Sequence, residues 1–74
     1  MPGRMQHLEL VFEPGRWTVT LTDGAHVQVS ADGYGREGDM YVFSLLVQGE
    51  PNFELDVVKI PVSSVSQIRG GSVV

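Results

Sequence analysis

The most regular hydrophobic pattern in this chain lies between residues 16 and 31, where apolar side chains occupy every second position. The polar positions between them are mostly threonine, glutamine and serine. A period of two is typical of β-strands that bury one face and expose the other. The apolar set consists of Trp17, Val19, Leu21, Val27, Val29 and Ala31. The pattern therefore predicts two strands that contribute to one core.

The dipeptide Asp23-Gly24 between these two strands is a strong signal for a β-hairpin. A loop of only these two residues would set the apolar positions of one strand against the polar positions of the other. A three-residue loop that includes the preceding threonine restores the match and pairs Val19 with Val27. Such a loop ends in a residue with positive φ, which favours glycine. We therefore expect positive φ at Gly24.

Four further stretches predict extended segments around this hairpin. Residues 7–13 and 40–48 alternate in the same way, and residues 53–60 follow a short loop. Placing Val47 opposite Phe53 continues to Phe43 opposite Val57, which keeps apolar residues together. Two valines three apart, at positions 62 and 65, suit one 3₁₀ turn before a last strand at 66–69. The polar, glycine-rich segment 32–39 is expected to form a loop.

The length of 74 residues indicates one domain, which we place at residues 7–70 with frayed termini at 1–6 and 71–74. Nothing in the chain has the spacing and caps of an α-helix. We therefore predict an all-β fold. Its expected architecture is a small antiparallel barrel of five to six short strands with a 3₁₀ turn before the last strand.

Two segments, Val19-Thr20-Leu21-Thr22-Asp23-Gly24 and Ile60-Pro61-Val62-Ser63-Ser64-Val65-Ser66-Gln67-Ile68, resemble parts of the small barrels of the SH3-like and Sm-like groups. This resemblance concerns the fold and implies no particular family. The segment Ile68-Arg69-Gly70-Gly71-Ser72-Val73-Val74 is also similar to the second Sm motif, in which an Ile-Arg-Gly turn joins the last two strands. The Sm resemblance implies a ring-forming subunit that binds RNA or DNA.

Composition narrows the classes of function. The net charge is −4, and the five Lys and Arg residues are scattered along the chain, which disfavours nucleic acid as a partner. The absence of cysteine excludes disulfides and thiolate metal sites. No apolar run approaches the roughly 20 residues that span a bilayer, so we expect a soluble, cytoplasmic protein without membrane contact.

Candidate catalytic or ligand-binding motifs have simpler structural explanations. The glycines of 33–38 match G-x-G-x-x-G, but the strand that follows them is not the helix of a dinucleotide site. The carboxylates of Asp32, Glu37 and Asp39 are oxygen ligands suited to calcium, although their spacing matches no known calcium loop. His7 and His26 occupy polar strand positions and are expected to be solvated. We predict no enzymatic activity, no cofactor and no metal.

Tyr34 and Arg36 belong to the residue types that anchor protein interfaces, and the predicted loop would present both. Val42, Leu46 and Val58 form a second apolar set, which suits either a strand buried on both faces or self-association into a homodimer or ring. The end Ser72-Val73-Val74 also fits a strand-addition pocket. We therefore expect a non-catalytic module that binds a protein or peptide, with the Sm-like nucleic-acid-binding subunit as the alternative.

Overall fold

The computed structural model describes residues 8–71 and contains only β-strands and a single 3₁₀ turn in that range. The strands are β1 (Gly15–Leu21), β2 (His26–Ala31), β3 (Gly33–Glu37), β4 (Met40–Val47), β5 (Phe53–Pro61) and β6 (Val65–Gly71), with the turn at Val62–Ser64 between the last two. They form two antiparallel sheets of three strands, in the orders β2-β1-β6 and β3-β4-β5. The all-β prediction is confirmed, and so is the 3₁₀ turn before the last strand.

The predicted closed barrel is wrong, because the two sheets are open. Closure would require the edge strands of one sheet to pair with those of the other, and no such pairing joins them in residues 8–71. The chain instead passes between the sheets at two corners. β2 continues into β3 through Asp32 alone, and β5 continues into β6 through the 3₁₀ turn. Strands that bend from one sheet into another are a common way to form such corners.

The first hairpin agrees with the sequence prediction in register and in loop type. Val19 pairs with Val27, and the antiparallel ladder extends from Gly15–Ala31 to Thr20–His26. Gly24 has φ 92°, and its N–H donates to the Leu21 carbonyl at 2.9 Å. The Asp23 carboxylate accepts a hydrogen bond from the Ala25 N–H at 2.9 Å, which further fixes the turn. The expectation of positive φ at Gly24 is confirmed.

The predicted loop at 32–39 is mostly strand. β3 pairs with β4 from Gly33–Ser44 to Glu37–Met40, and only Gly38 and Asp39 form the turn. Gly38 has φ 60°, as a two-residue hairpin turn with glycine first requires. The composition was misleading because an edge strand pairs through its backbone and needs few apolar side chains.

The predicted pairing of β4 with β5 is confirmed in its first half and wrong in its second. Leu45 lies opposite Leu55, but a β-bulge follows, and Phe43 then pairs with Val58 instead of Val57. The extra residue reverses which side chains of β5 face inward. Val58 packs against the core, whereas Val57 is 38% exposed.

The predicted strand at 7–13 is also wrong, because the residues described there form one isolated bridge, Leu10 to Val47. The Val11 N–H donates to the Leu46 carbonyl at 3.0 Å, and the Gln48 N–H donates to the Glu9 carbonyl at 2.8 Å. These bonds hold the segment beside the end of β4 without a regular ladder. The last strand, in contrast, is longer than the predicted 66–69 and runs through Gly71.

The core lies between the two sheets. Its fully or almost fully buried members are Val19, Val29, Ala31 and Phe43, and partly buried side chains from both sheets surround them. Trp17 is one of these, and its indole N–H donates to the Ala31 carbonyl at 3.0 Å. This bond satisfies the polar atom of a partly buried aromatic side chain.

Gly70 and Gly71 allow the end of β6 to lie very close to β1. Their φ values are 107° and 112°, a region that side chains rarely adopt. A Cβ at Gly70 would lie 2.5 Å from the Arg16 carbonyl oxygen, and one at Gly71 would lie 3.0 Å from the Trp17 ring. The Ile68-Arg69-Gly70 sequence therefore lies within a paired strand, and the turn that the Sm resemblance implied does not form there.

We expect Gly70→Ala to lower the free energy of unfolding by about 2 kcal/mol or more, because it adds both backbone strain and a steric overlap. Gly33→Ala is the matched control, since a Cβ there has open space around it and φ is not positive. That control should stay within about 0.5 kcal/mol of the wild type or be slightly more stable. Urea unfolding measures both, and equal stability of the two variants would contradict this account of β6.

Candidate binding groove on the second sheet

Tyr34 lies at the centre of an aromatic cluster that spans the two sheets. Its ring stacks on Phe43 with centroids 5.2 Å apart and meets Trp17 edge-on, also at 5.2 Å. Tyr41 contacts it edge-on at 5.8 Å. Tyr34 nevertheless remains 42% exposed. Three ring contacts therefore fix an aromatic side chain whose other surface faces solvent.

Arg36 follows Tyr34 on the same face of β3, because residues two apart in a strand point the same way. Its side chain is exposed, and its Nε donates to the Gly38 carbonyl at 2.9 Å. The guanidinium is thus tied to the β3–β4 turn. The sequence prediction placed both residues on a glycine-rich loop, whereas the structure places them on a paired strand. Their role in partner binding stays a prediction.

β3 is an edge strand. It pairs with β4 on one side, and no strand in residues 8–71 pairs with its other side. An unpaired edge presents main-chain N–H and C=O groups that another extended chain can pair with. The predicted interface residues Tyr34 and Arg36 therefore belong to a sheet edge.

A groove of about 510 Å³ lies over the face of the second sheet that points away from the core. Gly33 and Gly35 leave most of its β3 side without side chains, and a Cβ at either position would have no atom within 4 Å. Val42, 6% exposed, and the half-buried Leu46 form an apolar floor on β4. Phe12, which is 59% exposed, lines one part of the groove.

Carboxylates predominate among the charged residues of this groove. Asp32 precedes β3 and Glu37 is its last residue, while Glu54 and Asp56 project from β5. Arg36 is the one cation among the lining residues. Glu54 and Asp56 lie opposite Leu46 and Ser44, so all four side chains share the outer face. The groove therefore combines an apolar floor with an acidic rim.

Asp32 also has a structural role at the corner between the sheets. Its Oδ2 accepts a hydrogen bond from the Leu46 N–H at 2.6 Å, and its own N–H donates to the Ser44 carbonyl at 2.8 Å. The side chain thus replaces a main-chain acceptor at the point where the chain leaves one sheet and enters the other. This bond fixes β3 beside β4 and shapes one end of the groove.

The residues predicted for self-association do not form one surface. Val42 and Leu46 lie on the outer face of β4, whereas the bulge turns Val58 inward against the core. Self-association through these residues stays a prediction, but the structure does not bring the three together.

The remaining candidate sites are not assembled among the described residues. Within residues 8–71, no group of three or more acidic or histidine side chains is placed to hold a metal ion, and this includes Asp32, Glu37 and Asp39. His26 is exposed, with Nδ1 3.1 Å from the Thr20 hydroxyl. His7 and the segment 72–74 lie outside the described residues. No helix in the described part is long and apolar enough to cross a membrane.

Three residues that line this groove, Glu54, Asp56 and Phe12, were not predicted to belong to a site. The predicted register did pair Leu46 with Glu54, and this pairing is confirmed. The period of two then places Asp56 on the same face, so the signal was present in the strand pattern. Phe12 could not be found in this way, because its segment does not continue the sheet as a regular strand.

Comparison with known proteins gives no match of any kind: no protein-family model, curated protein or solved structure is significantly similar to the chain. The geometry alone therefore defines the class, which is a small all-β domain of two three-stranded sheets with an exposed edge beside an acidic groove.

We expect Asp32→Ala to destabilise the fold by about 1–3 kcal/mol, because it leaves the partly buried Leu46 N–H without its acceptor. Asp32→Asn keeps an oxygen acceptor and should lose less. Asp39→Ala is the control, since it removes an exposed carboxylate from the turn at the other end of β3. Denaturant unfolding of the three variants tests the assignment, which fails if the two alanine variants are equally stable.

Proposed function

We propose that this protein is a non-catalytic interaction module that binds an extended peptide or protein segment along the free edge of β3. The observation that carries the proposal is the combination of an unpaired strand edge with the exposed Tyr34 and Arg36 on that strand. An added strand gains main-chain hydrogen bonds from the edge and specificity from neighbouring side chains.

The edge strand lacks several features that keep natural sheet edges from pairing. β3 contains no proline, no lysine and no bulge in its pairing with β4. Its two glycines keep side chains away from the outer face, so another backbone can approach closely. Arg36 and Glu37 are its only charged residues.

Tyr34 is suited to act as an anchor for such a segment. Its contacts with Trp17, Tyr41 and Phe43 already hold the ring in place, so binding would cost little further side-chain entropy. Arg36, restrained by its bond to Gly38, would contribute a directional donor next to it.

The SH3-like or Sm-like resemblance contributes to this proposal only through the fold, that is, through the order and connection of the strands. It is supported by the two sheets that short corners join, and by the 3₁₀ turn before β6. An Sm-like nucleic-acid-binding ring subunit has weaker support. Its Ile-Arg-Gly segment lies within β6, and the acidic groove would repel phosphate.

Proline substitution in β3 should block binding at the edge. Successive N–H groups of a strand point to opposite sides, so one of Gly35→Pro and Arg36→Pro removes an outward N–H and leaves the ladder with β4 intact. The variant that keeps the wild-type melting temperature shows which of the two residues has its N–H on the free side of the strand. The other variant should be destabilised and serves as the internal comparison.

Peptides selected from a phage-displayed random library against the wild type are the probe. We expect them to bind the stable proline variant about tenfold more weakly or worse. The variant lacks one main-chain hydrogen bond at the edge, and the pyrrolidine ring of the proline obstructs the approach of the peptide backbone. Fluorescence anisotropy with labelled peptides measures the affinities. Absence of any selected binder, or equal binding to the proline variant, would overturn the proposed function.

A further inference from the structure

We propose that two copies of this chain form a weak dimer, in which their β3 edges pair antiparallel about a two-fold axis at Gly35. This inference rests on the proposed function, because it names a second copy as a partner of the same edge. The supporting observations are the direction of the free main-chain groups, the glycine at the centre of the strand and the complementarity of Tyr34 and Arg36.

The turn after β3 determines which main-chain groups of the strand are free. The residues that flank a two-residue turn exchange hydrogen bonds across the hairpin, so the main-chain groups of Glu37 point to β4. Successive residues of an antiparallel strand direct these groups to opposite sides. Those of Gly35 therefore also point to β4. Those of Tyr34 and Arg36 point to the free side.

One antiparallel register uses all of these free groups. With Gly35 opposite its own copy, Tyr34 of each chain lies opposite Arg36 of the other, and each of the two pairs can exchange two main-chain hydrogen bonds. A register that sets Arg36 opposite itself would bring like charges together. The arrangement about Gly35 is also isologous, because the same residues of both copies form the contact.

The side chains that this register brings together are complementary. Phe43 of β4 stacks on Tyr34 with ring planes 28° apart, so the other face of the tyrosine ring is directed towards an added strand. Directly opposed residues have Cβ atoms about 5 Å apart, within easy reach of an arginine side chain. Arg36 of the second copy would lie on this ring face in a cation–π contact. Its bond to the Gly38 carbonyl is exposed and costs little to exchange.

The glycines of β3 remove steric obstacles to this approach. Gly35 meets Gly35 at the axis, and Gly33 lies opposite Glu37 of the other copy. A Cβ at either glycine has no atom within 4 Å, so the outer face of the strand is open. No side chain on that face has to move before the two backbones come together.

Charge opposes the contact and makes the dimer weak. The charged residues in and beside β3 are Asp32, Arg36, Glu37 and Asp39, three carboxylates and one guanidinium in each copy. The Asp32 carboxylate is bonded to the main chain of β4, and Asp39 lies in the turn beyond the paired residues. Since the copies repel each other at longer range, salt should strengthen the dimer by screening this repulsion.

The other edges of the described sheets are less suited to self-pairing. β5 contains Lys59, ends at Pro61 and has a bulge in its pairing with β4, and all three features keep edges apart. β6 has a register shift in its pairing with β1. β2 lacks these features, but it contains neither tyrosine nor arginine.

Sedimentation velocity of the whole chain, from about 10 µM to about 1 mM, measures the self-association. A contact between five-residue strands is smaller than a standard interface, so we expect a dissociation constant of about 0.1–1 mM. Dimerisation should be stronger at about 500 mM salt than at about 50 mM. The edge is then free in dilute solution and masked in concentrated solution.

Two arginine variants separate the edge from overall charge. Arg36→Gln should weaken the dimer about threefold or more, because the contact with Tyr34 is lost. Arg69→Gln removes an exposed guanidinium from the first sheet and should change the dissociation constant by less than about twofold. Arg36→Pro, which we expect to be the stable proline variant, should remain a monomer.

Single cysteines report the register, because the chain contains none of its own. In Gly35→Cys the two thiols would face each other across the axis with Cα atoms about 4.5 Å apart, which suits a disulfide. Gly33→Cys is the matched control on the same strand face, and its copies would lie about 14 Å apart. Oxidised glutathione, which is reduced as the two thiols join, should couple Gly35→Cys at least about tenfold faster. Mass spectrometry of quenched samples measures the rates.

Several outcomes would overturn the inference. They are a chain that stays monomeric at about 1 mM, equal coupling of the two cysteine variants, and a dimer that persists in Arg36→Pro. A peptide selected from the library should dissociate the dimer, and binding that leaves the dimer intact would also reject the shared edge. The library selection decides the proposed function and the cysteine comparison decides the dimer, so that either can fail alone.

Discussion

The packing of Phe43 against Trp17 joins the two sheets, and the rest of the structure depends on it. Phe43 is fully buried on β4, and its ring centroid lies 6.0 Å from that of Trp17 on β1. A chain of this length buries only about 60% of the surface it exposes when unfolded, so two open sheets have to share one core. Tyr34 stacks on the same Phe43 ring, which means that the core also positions the edge strand where we place binding.

Local chemistry explains which parts of the fold were predictable. The first hairpin was predicted to the residue because alternation on both strands and the turn residues at Asp23-Gly24 agree on one register. The pairing of Leu45 with Leu55 followed from the same reasoning. In each case a one-residue slip would have turned apolar side chains to solvent, so the hydrophobic pattern allows only one solution.

The failures occur where the hydrophobic pattern carries no information. Val57 and Val58 are identical, so the sequence cannot show which of them the bulge leaves unpaired. β3 is held by main-chain bonds, by Tyr34 and by the Asp32 side chain, none of which produces an apolar alternation. Tyr34 and Arg36 were selected by residue type alone. The carboxylates of β5 escaped notice because they are distant in sequence and adjoin β3 only through the intervening strand.

The net charge of −4 is unevenly distributed over the fold, and this changes what it implies about partners. The outer face of the first sheet is polar and carries no carboxylate among its paired positions, which are Arg16, Thr18, Thr20, His26, Gln28, Ser30, Gln67 and Arg69. The groove of the second sheet, in contrast, is lined by four carboxylates. The two outer faces therefore differ in charge, although Arg36 also lines the groove and Lys59 lies opposite Val42 on the same face of the second sheet. Composition alone cannot show this difference, because it counts the charges of both faces together. Strand topology separates them, because it determines which alternating positions come together on each sheet.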